Sequence, residues 1–146
     1  LNPWWVPLAG AAHVAEEVAA GWVVWARRRV PGVTTAQFAT VNAAFLGLAC
    51  LAADQAPAHP FLFFAMSAVL PANAAVHLGA AALDRGYAPG LVTAVFLYIP
   101  LGWAVFLGPG ARPLAAGFRW EAFAVGFAIS ATPFLFQLLR LRLGGR

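Results

Sequence analysis

His13, Glu16 and Glu17 stand at i, i+3 and i+4 inside one long apolar run, Pro3 to Ala26. On a helix that spacing places all three side chains on a single face. A charged side chain near the centre of a bilayer costs roughly 2.5–3.5 kcal/mol on insertion scales. A cluster of three ionisable groups in that setting is read by default as functional. A second pair, Asn73 and His77, is spaced i, i+4 in another apolar run. If the two faces meet, two imidazoles, two carboxylates and a carboxamide share one small volume.

Two chemistries fit that set. In the first, His13, Glu17 and His77 bind a divalent metal, zinc or iron, for which two histidines and a carboxylate are a common ligand set. Glu16 is then the base and Asn73 the orienting donor. The His-x-x-Glu spacing is also the reverse of the Glu-x-x-His pair found in helical carboxylate-bridged metal sites. In the second, no metal is needed. Adjacent carboxyl groups in a low dielectric do not readily ionise together, so one of Glu16 and Glu17 serves as general acid while His13 or His77 serves as base. A purely structural use, gluing helices by hydrogen bonds, returns on average about 0.6 kcal/mol per bond. That is less than the insertion cost of the ionisable groups.

The elements that must position these residues follow from composition. The 146-residue chain is 62% hydrophobic and only 10% charged, against roughly 25% charged residues in a soluble domain. It lacks the polar surface to face water all round, which makes it an all-α, polytopic membrane helix bundle in a single domain, residues 1–146. The apolar runs are continuous rather than alternating, which argues against a barrel of strands. Five transmembrane helices are expected, at about 4–26, 34–53, 61–83, 90–108 and 120–139. Thr34 or Thr35 caps the second, and Pro89-Gly90 opens the fourth.

Seven arginines, at 27, 28, 29, 85, 140, 142 and 146, fall on one side of this arrangement and two, Arg112 and Arg119, on the other. The positive-inside rule then puts the N-terminus outside and the C-terminus in the cytoplasm. Trp4, Trp5 and Trp120 belong to the outer interface, Trp22 and Trp25 to the inner one. At about 1.5 Å per residue, Glu17, Asn42, Asn73 and His77 lie roughly 9–15 Å from the cytoplasmic end. Tyr98, Ser130 and Thr132 fall in the same slab, so a polar layer fed by all five helices is expected. Pro71, Pro100 and Pro133 lie inside spans and free the carbonyls of Ser67, Phe96 and Ile129. His59 reads as a solvated loop residue; Asp54, Asp84 and Glu121 read as interfacial; Cys50 reads as packing filler.

Three local patterns then stand in order: His13-Val14-Ala15-Glu16-Glu17, Asn73-Ala74-Ala75-Val76-His77, and Pro89-Gly90-Leu91-Val92-Thr93. Together they resemble the HXXEE domain family, small bacterial integral membrane proteins marked by H-x-x-E-E, N-x-x-x-H and P-G-x-x-T. The resemblance implies that His13, Glu16, Glu17, Asn73, His77, Pro89, Gly90 and Thr93 are family-motif positions, and that the chain lies in a bacterial inner (cell) membrane as a multi-pass protein. The family carries no established activity, so the resemblance implies residues rather than a reaction. Pro89-Gly90 and Thr93 read physically as a tight turn and the first turn of the fourth span, placed to position that helix or a substrate head group.

The leading expectation is an intramembrane enzyme acting on a small apolar substrate, lipid-like or isoprenoid-like. A proton-coupled carrier is the alternative, since membrane carboxylates and histidines form proton relays, and a homodimer could supply a second half. A structural membrane subunit is the third. The lipid bilayer is the expected surround, and a net charge of +4 spread over the chain gives no nucleic-acid surface.

Overall fold

A computed structural model describes residues 1–111 and 114–143. The described residues are helical or in connecting turns, without a strand. In chain order the elements are α1 (Trp5–Ala19), α2 (Trp22–Arg27), α3 (Thr35–Asp54), α4 (Pro60–Asp84), α5 (Leu91–Thr93), a π-helical segment (Ala94–Tyr98), α6 (Ile99–Leu107), a 3-10 turn (Pro109–Ala111) and α7 (Ala116–Leu143). Four helical stretches are long and apolar enough to cross a membrane: Thr35–Asp54, Pro60–Asp84, Leu91–Ala111 and Ala116–Arg140.

The expected first span is interrupted. Gly21 takes the left-handed conformation at φ 71° and separates α1 from α2, a geometry glycine adopts without steric penalty. The Gly21 amide closes α1 by donating to the Val18 carbonyl, and its own carbonyl accepts from Trp25 to start α2. The other boundaries follow local chemistry. Thr34 and Gln37 form a reciprocal capping box at the start of α3. Pro60 opens α4, where a missing N–H costs nothing.

α4 is the central helix, packing against α7, α6, α3 and the π-helical segment. Small residues allow close approach. A Cβ on Gly126 of α7 would stand 2.6 Å from the Ala68 Cβ and would also strike the Ala65 carbonyl. A Cβ on Gly10 of α1 would meet the Phe45 ring of α3 at 2.9 Å. α1 buries Val6, Ala9, Gly10, His13 and Glu17, a single stripe at helical spacing. The hydrophobic positions that lock α1 to the bundle therefore carry His13 and Glu17 inward with them.

The three in-span prolines are accommodated differently. α4 runs unbroken through Pro71. Before Pro100 the helix widens into the π-helical segment, with the Ile99 amide reaching back to the Ala94 carbonyl. Such single π turns recur at functional sites. Near Pro133 the carbonyl of Ile129 is taken up by the Thr132 hydroxyl at 2.6 Å.

One end of the bundle collects the cations. Arg29 forms an ion pair with Asp84, its Nε donating at 3.3 Å, and its guanidinium lies 3.9 Å over the Trp25 ring. Arg27 donates to the Val33 carbonyl at 2.8 Å, and Arg140 to the Gly32 carbonyl at 2.9 Å. These contacts tie the ends of α2, α4 and α7 together. Arg112 and Arg146, which also entered the charge count, lie outside the described residues.

Candidate metal centre

The inward stripe of α1 meets the last third of α4 where α5 begins. His13, Glu17 and His77 are all nearly water-free, 2%, 4% and 3% exposed. Glu17 Oε1 stands 3.6 Å from His13 Nε2 and 3.5 Å from His77 Nε2. One ligand atom from each residue can be chosen so that all three lie within 4.8 Å of one another. Two donors held about 2.1 Å from a tetrahedral ion stand roughly 3.4 Å apart, so the two separations to Glu17 suit a shared ion. His13 Nε2 is buried without a hydrogen-bond partner among the described residues, an expensive condition for a lone pair that nothing uses.

The other side of His13 explains why that lone pair points inward. His13 Nδ1 lies 2.8 Å from Thr93 Oγ1. The Thr93 hydroxyl has one proton, and its closest acceptor is Glu16 Oε2 at 2.6 Å. With that proton donated in a hydrogen bond to the carboxylate, the hydroxyl accepts from His13 Nδ1–H, which leaves Nε2 as the unprotonated nitrogen, with a lone pair facing Glu17. A chain Glu16–Thr93–His13 thus sets the tautomer, as carboxylate-backed histidines do at metal sites.

Glu16 does more than hold Thr93. Oε2 also accepts from the Thr93 amide at 2.7 Å, and Oε1 accepts from the Val92 amide at 3.0 Å and from the Tyr87 hydroxyl at 2.6 Å. The carboxylate satisfies first-turn amides of the α5 helix from a neighbouring element, where a negative charge is favoured. Tyr87 lies in the loop before α5; partial burial and its bond to Glu16 push the phenol up from its ordinary value. The bond is lost as pH rises through that raised value.

The turn supplies the remaining wall. Ala88, Pro89 and Gly90 are buried. Gly90 has φ 95°, and a Cβ there would lie 2.6 Å from His77 Cε1 and 2.7 Å from His13 Cε1. Only glycine lets this turn close over both rings. On another side Tyr98, from the π-helical segment and 2% exposed, stacks on His13 with centroids 4.4 Å apart. The two imidazoles meet edge to face at 4.8 Å.

The structure therefore brings His13, Glu17 and His77 together and sets Glu16 behind them with both oxygens already engaged. Asn73 lies one turn before His77 on α4; its Oδ1 is buried without a hydrogen bond among the described residues. The five-helix polar layer is narrower than expected. Asn42 bonds the Phe38 carbonyl of its own helix at 3.0 Å, and Thr132 is exposed and bonds Ile129. Of the outlying polar residues, Tyr98 joins the cluster by stacking on His13. Tyr87 was not singled out from the sequence; its position two residues before the Pro89-Gly90 turn was the available signal.

Replacing Thr93 with valine keeps the shape of the side chain and removes the hydroxyl that joins Glu16 to His13. Metal affinity is expected to fall about 10–100-fold, the usual effect of an outer-shell change, with helix content unchanged. Metal titration of the purified variant checks this. An affinity equal to that of the unmodified chain would remove Thr93 from the account.

A bundle with four helices long and apolar enough to cross a membrane and a buried His–Glu–His cluster defines a class of membrane-type helical proteins with a buried polar site. Within it, the chain belongs to the family described as "Protein of unknown function with HXXEE motif", whose family model matches residues 4–105. That match covers all three motifs and every residue of the cluster. No curated protein and no solved structure matches the chain.

Proposed function

We propose that this protein is a metal-dependent enzyme of the cell membrane that acts on an apolar, lipid-like or isoprenoid-like substrate. The convergence of His13 Nε2, His77 Nε2 and Glu17 Oε1 carries the reading. Two histidines and one carboxylate with a further position left open is the ligand pattern of catalytic rather than closed structural zinc sites, and it also suits ferrous iron. When bound, such an ion polarises a substrate oxygen or activates water. The chain's own residues do the rest. Thr93 and Glu16 hold His13 in the ligating tautomer, Gly90 and Tyr98 fix the planes of the rings, and burial excludes bulk water. Glu16, with four donors on its carboxylate, acts as a positioning residue rather than as a free base. Asn73, with an unused carbonyl oxygen, is the group left to orient a substrate.

A groove of about 230 Å³ supports the apolar substrate class. It is lined by Glu17, Val18, Gly21, Trp22, Val23, Val24, Thr35 and Phe38. The break at Gly21 thus lies on a lateral opening whose walls are almost wholly apolar and which reaches a proposed ligand. Membrane lipids incubated with metal-loaded protein should show a species that changes, and the change should stop with His77→Ala. Identical lipid profiles with and without active protein would count against an enzyme.

The fragmented first segment, α3, α4, α5–α6 and α7 make five passes, with the arginine-rich end in the cytoplasm. A cysteine placed at Gly86 in a Cys50→Ala background should react with an impermeant thiol reagent in inverted vesicles and not in intact cells. Labelling in intact cells would reverse the orientation.

A further inference from the structure

A second groove lies apart from the cluster, between α6 and α7, with a volume of about 320 Å³. Pro71, Gly102, Phe106 and Phe123 line it among other apolar side chains, and among the described residues Arg119 is its one charged member. Gly102 packs directly on Pro71; a Cβ there would lie 3.2 Å from the proline ring. The volume lies in the range of roughly 300–1,000 Å³ that ligand sites occupy.

Arg119 gives the groove a chemical polarity. It sits in the first turn of α7 and is only partly exposed. One terminal nitrogen donates to the Phe106 carbonyl at 2.9 Å, while Nε is buried without a hydrogen-bond partner among the described residues. Among the described residues its guanidinium enters no ion pair. Glu121, two residues on, projects from a different side of the helix. Trp103 and Trp120, 68% and 65% exposed, flank the groove, as tryptophans do at the height of lipid head groups. A guanidinium with a spare N–H is a preferred partner for phosphate.

We propose that this groove binds one anionic phospholipid, an acyl chain lying along the apolar walls and the phosphodiester paired with Arg119. The site is independent of the metal centre and of any activity there.

The full chain in detergent is mixed with phosphatidylglycerol or with diacylglycerol of the same chains, and retained lipid is counted by native mass spectrometry. One phosphatidylglycerol per chain is expected, held about tenfold more strongly than diacylglycerol, the size of a lost charge-assisted contact. Arg119→Gln should bring phosphatidylglycerol down to the diacylglycerol level. Leu107→Trp, which fills the groove and keeps the arginine, should weaken both lipids. Arg119→Lys, which keeps the charge, should retain phosphatidylglycerol above that level, and it carries the test if Arg119→Gln misfolds by circular dichroism. Equal retention of the two lipids, or phosphatidylglycerol held by Arg119→Gln as by the unmodified chain, would overturn the proposal. Displacement of the lipid by millimolar inorganic phosphate would identify a free-anion site and overturn it as well.

Discussion

Glu17→Gln is expected to leave the bundle folded and to abolish metal retention. Glutamine matches glutamate in size, so the α1 stripe of Val6, Gly10 and His13 can still pack as before. What disappears is the carboxyl group available as an anionic ligand, whose Oε1 lies 3.6 Å and 3.5 Å from the two imidazole nitrogens. Outer-shell changes at metal sites cost about 10–100-fold in affinity, and removal of an anionic ligand should exceed that. Elemental analysis of the purified variant against the unmodified chain reads the effect, with circular dichroism as the folding control. Wild-type metal content in Glu17→Gln would remove Glu17 from the ligand set. If the unmodified chain also holds no metal, yet proteoliposomes show a proton flux that Glu17→Gln stops, the carrier reading replaces the enzyme.

Gly90→Ala should damage fold and site together. The backbone there has φ 95°, which an alanine adopts at a cost of about 1–2 kcal/mol. The added methyl would also sit 2.6 Å from one imidazole and 2.7 Å from the other, and overpacking of this kind costs about 1–3 kcal/mol more. A destabilisation of roughly 2–5 kcal/mol is expected from the two effects combined, with weakened metal binding in whatever folds. Gly86→Ala is the control, since its Cβ would meet nothing nearer than the Asp84 carbonyl at 3.8 Å. If Gly90→Ala melts like Gly86→Ala and binds metal normally, the turn has no role in seating the rings.

The motif residues were legible because each is expensive. Ionisable groups at i, i+3 and i+4 in an apolar helix announce a shared face, and Asn73 and His77 answer Glu17 within the same slab. Spacing alone could not divide the labour between Glu16 and Glu17. Both lie on one side of α1, yet a rotation of about 100° per residue aims Glu17 into the core and Glu16 at the amides of α5. That division depends on where α5 starts, a tertiary fact. The link through Thr93, the stacking of Tyr98 and the approach of Tyr87 likewise join residues more than seventy positions apart. Helix capping by Thr34 was readable because it is local. The break at Gly21 was hidden, because an isolated glycine in an apolar helix is common and its left-handed turn leaves no further mark in the sequence.

What His13, Glu17 and His77 hold can be read by X-ray absorption at the metal edge, on purified chain loaded with zinc or ferrous iron. One tightly held ion per chain is expected, with two imidazole nitrogens and a carboxylate oxygen at about 2.0–2.2 Å, and loss of the imidazole signal in His13→Ala and His77→Ala. A chain that retains no ion, or an ion whose surroundings contain no imidazole, would contradict it.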